Sequence, residues 1–437
     1  MTGSGEASAA DEQPRVGTVG IGVVDFDRLP AGTASTVVPI RAADGAASRG
    51  VLYARGGEKT VMVVSHPRGD LSRFYAAPAI VEAGYAFYAH QTRTLNNDVD
   101  CEHERLLLDL AAALTHLRDE RGFDRVILLG NSGGGSLMAF YQQQASTPPP
   151  DRLRDTAAGE PLDLNEVAMP KADGVVLLGA HPGQGSFMLR AIDPSVIDEG
   201  DPLAVDPDLD MYNAANGYRE PPEPSTYSEE FLQRYRAAQR ARVARLDARA
   251  RGLIAEQRRY RDMRDAPGFA DLPIEERTRI TRHATVGHYL VVHRTEADPA
   301  YLDVRLHAER STRRAASILG PRPDEINYAP GGFGRLVTPR AWLSTWSGLS
   351  TRAVLVESLK SVDVPLLLVG FTGDNLGFPD DTQAQYDASP AADKTIRFHD
   401  GDHFGFPVVQ REKALQTVVD WLTPRFPAAS GSPEGVR

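Results

Sequence analysis

Residues 125–135 read RVILLGNSGGG, and the rest of the chain is best understood outward from them. Val126 to Leu129 is a short apolar run of the kind that forms a buried strand, ended by Gly130. Gly130-Asn131-Ser132-Gly133-Gly134 fits the pattern G-x-S-x-G, and the following SLMAFYQQQ opens a helix. A strand that turns straight into a helix leaves no room for large neighbours, hence the glycines. The same turn pushes Ser132 out at the carboxyl end of the sheet, where a hydroxyl can meet a substrate. Competing uses of a glycine-rich loop fail here. No register of GNSGGGS gives G-x-G-x-x-G, and no GK[ST] ending follows for a phosphate loop.

Apolar runs and helical patterns alternate on both sides of this turn. STVVPIRAADG (35–45) and SRGVLYARGG (48–57) predict an antiparallel hairpin. TVMVVSHP (60–67) and YAFYAHQTR (85–93) are strands, with a helix between them at 75–84 closed by Gly84. Leu107, Leu110, Leu114 and Leu117 recur at helical spacing and predict an amphipathic helix over 102–120. GVVLLGAHPG (174–183) is the next strand. From 364 the alternation returns with VPLLLVG (364–370), TIRFHDGDH (395–403) and the helix REKALQTVVDWL (411–422). Such alternation predicts an α/β fold, a mostly parallel sheet flanked by helices.

The texture differs over 186–355. Prolines crowd 221–224, and Thr226 with Glu229 offers a capping box for a long arginine-rich helix. Leu232, Tyr235, Val243, Leu246 and Leu253 give that helix one apolar face, which leaves its arginines as a solvated face. Tyr328, Phe333, Trp342 and Trp346, beside Gly331, Gly332 and Gly334, are candidates for a pocket wall and hinge.

A serine hydroxyl is a poor nucleophile at neutral pH without a base. The base should be a histidine on a late loop, oriented by a carboxylate, in the chain order Ser, acid, His. His403, in Gly401-Asp402-His403-Phe404-Gly405, follows the last strand; its competitor His399 lies within that strand. Asp374 stands just past strand 364–370, with Asp380, Asp381 and Asp402 as alternatives. Two backbone N–H donors are needed for an oxyanion. One is expected from Gly133, the other from the turn His66-Pro67-Arg68-Gly69, where Pro67 has no N–H and Arg68 is the expected donor, Gly69 the reserve. His66, His90 and Asn131 are candidate pocket residues. His283, His288 and His293, spaced by five, diverge on a helix or a strand and predict no metal site. No cofactor is expected.

The chain has 437 residues, enough for one large domain with an insertion or for two domains. A net charge of -11 disfavours phosphate backbones and anionic lipid, so neither nucleic acid nor membrane is an expected partner. A small-molecule substrate is expected, with homodimerisation left open. Cys101 is the single cysteine, which excludes an internal disulfide and fits a reducing compartment. The polar, acidic start lacks the marks of a signal peptide, so a cytoplasmic location is expected.

The segments SHPRGD (65–70), GNSGGG (130–135), FTGD (371–374) and GDHFGF (401–406), in that order, resemble the α/β-hydrolase fold serine hydrolases with a large cap domain. The resemblance implies an eight-stranded sheet, with a mainly helical cap inserted between strands six and seven. With the change of texture it sets a core at 17–185 and 356–425 and a cap at 186–355, while the small, polar composition of the ends predicts a disordered tail at 1–16 and a flexible one at 426–437. The resemblance implies acyl transfer through Ser132, His403 and Asp374 on an ester, lactone or thioester of a medium-sized, partly apolar substrate. Carbon–carbon bond hydrolysis or acyl transfer to another acceptor would use the same residues, and a non-catalytic ligand-binding protein on this fold is the alternative of another class. The HPRG turn departs from the common HG-x or HGGG form, which puts the second oxyanion donor in question.

Overall fold

The computed structural model describes residues 28–428. The tail expected at 1–16 and residues 429–437 of the second tail lie outside them. Eight strands form one sheet: β1 (Ala34–Arg41), β2 (Ala47–Ala54), β3 (Thr60–His66), β4 (Ala86–Gln91), β5 (Arg125–Asn131), β6 (Gly174–Leu178), β7 (Leu366–Phe371) and β8 (Lys394–His399). Their spatial order is β1-β2-β4-β3-β5-β6-β7-β8. Only β2 runs against the others. The expected mostly parallel eight-stranded sheet is therefore present. The carboxyl ends of β3, β5, β6 and β7 share one edge.

Helices cover both faces, which explains why the central strands read as unbroken apolar runs rather than alternating ones. Val126 and Leu128 of β5 join one cluster with Leu107, Leu110 and Leu114 of α2 (His103–Asp119) and Leu137 of α3 (Gly134–Ser146). Ile127 and Leu129, pointing the other way, join a second with Ile80 of α1 (Ala77–Glu82) and Val418 and Trp421 of the final helix (Val408–Leu422).

Residues 179–365 connect β6 to β7. They hold α4 (Gln184–Ala191), the 37-residue α5 (Glu229–Asp265) and α6 (Ile274–Thr285), joined by long irregular runs. The N-cap is Ser228, not Thr226, and no capping box forms: the Ser228 side chain accepts the Phe231 N–H at 3.1 Å, and Phe231 has no acceptor to return the bond. The inner face of α5 carries Val243, Leu246, Ala250 and Ile254, packed with Leu290, Val292, Val337, Trp342, Leu343 and Trp346 into a core of the insertion's own. No helix among the described residues is long and apolar enough to cross a membrane.

One arginine of α5 departs from the solvated face expected of it. Arg242 is fully buried, grips Glu199 through Nε and Nη2 at 2.9 and 2.7 Å, and donates to the carbonyls of Asp193 and His293. Removing only one partner of such a pair leaves a carboxylate and two carbonyls without donors, a loss of about 3 kcal/mol. Arg242→Met should lower the urea midpoint accordingly with an unchanged slope. A cost below about 1 kcal/mol would place this pair with exposed ones.

Candidate active site

The turn after β5 is tight. Ser132 has φ 53°, in the left-handed region that non-glycine residues avoid. Its N–H donates to the Gly179 carbonyl at 3.2 Å, which ties the turn to the end of β6. The glycines around it answer to close approach. A Cβ on Gly130 would lie 2.6 Å from Gly135 Cα, and one on Gly134 only 2.2 Å from the Ser65 carbonyl oxygen. Helix α3 can therefore start directly against β3 and β5.

The structure brings Ser132, His403 and Asp374 into one chain of hydrogen bonds. His403 Nε2 lies 2.9 Å from Ser132 Oγ, and Nδ1 lies 2.8 Å from Asp374 Oδ2. Asp374 is fully buried and His403 is 3% exposed, while Ser132 is partly open. The other carboxylate oxygen, Oδ1, accepts the N–H groups of Leu376 and Gly377 at 2.7 and 3.0 Å, which fixes the carboxylate plane. Burial alone would lower the His403 pKa. Asp374, by charge and by hydrogen bond, and then Asp402 outweigh it and hold the pKa above its ordinary 6.5. The alternative acids are engaged elsewhere. Asp381 pairs with Arg190, Asp380 faces His307, and Asp402 accepts the N–H groups of Phe404 and Phe406 within its own loop. His399 bonds to Thr417.

The second oxyanion donor does not stand where the sequence places it. The Arg68 N–H points at His66 Nδ1 from 3.3 Å, and the Gly69 N–H at the same atom from 2.8 Å. Both amides are spent on the imidazole. The Arg68 side chain bridges to Asp98 at 2.8 Å, and its guanidinium lies over the rings of Phe333 and Trp346 at 4.9 and 5.1 Å. Phe333 and Trp346 thereby pack against the side chain of the turn that follows β3.

Four other expected pocket residues have polar groups engaged elsewhere. His90 is fully buried, with both ring nitrogens on the hydroxyls of Ser48 and Ser65, and burial drives its pKa down to about 3. The Asn131 amide donates to the Leu178 carbonyl and to Tyr75, holding β6 to β5. Trp342 is buried in the insertion's core with Nε1 on Asp247. The Tyr328 hydroxyl accepts from Arg294 within a polar network of the insertion. Each polar group is already used, and sequence could not show by what.

Other residues come to the site unannounced. His181, just past β6, accepts the Gly183 N–H on Nδ1 at 3.1 Å. His66 and His181 thus end the strands flanking β5 with the same His-Pro turn. Burial, followed by repulsion from Arg68 and from neighbouring histidines, holds both rings well below 6.5 and neutral. His103, buried against the Gln184 amide, is pushed down to about 4 by burial. Phe187, Tyr301 and Leu376 pack into an apolar cluster with Phe333 against it, and Leu376 stands two positions after Asp374.

No family model matches the sequence, and no curated relative matches it. Solved structures do resemble the chain. The alpha/beta hydrolase GrgF from Penicillium sp. sh18 is 11% identical, covering 90% of this chain and 99% of that one with a TM-score of 0.47. DcsB in complex with its substrate analogue is 15% identical over 90% and 98%, with a TM-score of 0.46. The Pyrococcus furiosus esterase Pf2001 is 11% identical over 90% of each, with a TM-score of 0.40. At that distance no chemistry is carried across, and the site rests on this chain's own geometry.

Proposed function

We propose that this chain, which has the α/β-hydrolase fold, is a serine hydrolase that cleaves an ester, lactone or thioester through an acyl-enzyme on Ser132. The observation that carries the reading is the unbroken Ser132–His403–Asp374 chain, with bonds of 2.9 and 2.8 Å and the serine partly open. In the first step Ser132 Oγ attacks the substrate carbonyl carbon while His403 Nε2 takes its proton. Asp374 accepts from Nδ1–H and stabilises the imidazolium that forms. The carbonyl oxygen becomes an oxyanion and meets the Gly133 N–H, which caps the start of α3 and has no helical carbonyl to bond. The tetrahedral species collapses, the bond to the leaving group breaks, and His403 returns the proton to that group. Water then attacks the acyl-serine with His403 again as base, which releases the acid and restores Ser132.

Residues 186–355 act as the cap in this reading. They set one wall of the substrate site through Phe187 and Phe333, backed by the buried Tyr301 and Trp346, which favours a partly apolar acyl or leaving group. A fluorophosphonate probe tests the reading directly. Wild type should be labelled at Ser132, as mapped by peptide mass, and His403→Ala should label far more slowly. A wild type that neither labels nor hydrolyses a p-nitrophenyl ester would turn the reading toward a non-catalytic binding protein.

A further inference from the structure

Two side-chain nitrogens converge on the residue after the nucleophile. A Cβ built on Gly133 would lie 2.0 Å from Gln184 Nε2 and 3.0 Å from His66 Nε2. Only glycine leaves that space open to them. Gln184 is 2% exposed, and its Nε2 has no hydrogen-bond partner, an uncommon state for a buried donor. The amide is held from its other end, where Oε1 lies 3.2 Å from the Ser136 hydroxyl on α3. His66 is fixed by a different device. The Arg68 and Gly69 amides donate to Nδ1, so in the neutral ring the hydrogen must sit on Nε2, the atom at Gly133. In effect the ring carries the donor capacity of the β3 turn across to the nucleophile. His103, whose ring stands beside the Gln184 amide, is the other polar group in reach of it.

We infer that Gln184 Nε2 and His66 Nε2, not a second backbone amide, complete the oxyanion site of Ser132 around the Gly133 N–H. The inference rests on the serine-hydrolase reading above. It explains why the chain can depart from the HG-x turn, since the backbone donors of 68 and 69 are used to set a tautomer. It also explains the buried, unpaired amide: the bond that Gln184 lacks in the resting site forms when the carbonyl oxygen takes up negative charge. That is the condition for a donor to act on the transition state more than on bound substrate.

The test uses the full chain, a p-nitrophenyl ester and the matching thionoester, in which sulfur replaces the carbonyl oxygen and accepts hydrogen bonds weakly. Gln184→Met keeps the volume and removes the donor, and Gln184→Ala stands beside it. His66→Ala is paired with His66→Gln, which returns an N–H near the Nε2 position. Gln184→Met and His66→Ala should each lower kcat for the ester by about 10²-fold, the effect of losing one oxyanion donor. KM should stay within about twofold, since binding in the ground state is not at stake. The thionoester rate should fall much less, and His66→Gln should recover part of the loss. A loss of equal factor on ester and thionoester, or a Gln184→Met kcat within about twofold of wild type, would give Gln184 a packing role beside His103 and overturn the inference. An active wild type with an unaffected Gln184→Met overturns this inference alone. An inert wild type overturns the hydrolase reading and takes the inference with it.

Discussion

Ser132→Ala lowers kcat/KM for an activated ester by about 10⁶-fold, and adding His403→Ala in the same chain lowers it no further. The reason lies in the 2.9 Å bond between Ser132 Oγ and His403 Nε2. The imidazole has one task in acylation, to take the proton from that oxygen. Once the oxygen is gone there is nothing for the ring to do, and without the ring the hydroxyl is too weak a nucleophile to add anything over water. The two residues therefore behave as one unit, and their losses overlap instead of multiplying. Comparing the two single variants with the double, on preparations shown free of wild-type carry-over, measures this. Losses that multiply would mean that His403 serves some step other than activating Ser132, and the mechanism would have to be redrawn.

Asp374→Asn should cost about 10⁴-fold in kcat with the fold intact. The structure supplies the cause. One side of the Asp374 carboxylate is bound to the N–H groups of Leu376 and Gly377, which only an oxygen can accept. Asparagine must keep its oxygen there and so presents its NH₂ to His403 Nδ1. That makes Nδ1 the acceptor and places the ring hydrogen on Nε2, facing Ser132, where a base is needed and a donor is useless. The pH profile should move as well. A protonated His403 cannot act as base, so activity falls as pH drops through its pKa. In the wild type Asp374 holds that pKa above 6.5 against the effect of burial. Without the negative charge burial prevails, and the midpoint of the acid limb of kcat/KM should shift to lower pH. An acid limb that stays in place, or a loss below tenfold, would show that another carboxylate orients the ring.

Much of this was open to a reader of the sequence. The apolar runs of β3, β5, β6 and β7 announce themselves because both faces of the sheet are covered, and the elbow is marked by glycines that backbone contacts demand. Ser132, Asp374 and His403 follow from strand ends and chain order. Other features depend on directions that no local pattern records. Whether the Arg68 amide faces the site or the His66 ring is decided by one turn's geometry. Whether Arg242 is solvated depends on Glu199, 43 residues away, being folded back onto it. The His-Pro pairs at 66–67 and 181–182 are visible in the sequence. Their significance needs the sheet order that puts β3 and β6 on either side of β5. Gln184 carries no sequence signal at all, because its importance lies in a bond it does not make.

Ser132 has a longer consequence. A side chain at φ 53° sits in a conformation that disfavours every L-residue by about 1–2 kcal/mol and glycine hardly at all. The resting protein carries that penalty continuously, whether or not a substrate is present. Selection for stability alone would put glycine at 132, so the position marks where the demands of a durable fold and of a working catalyst part company.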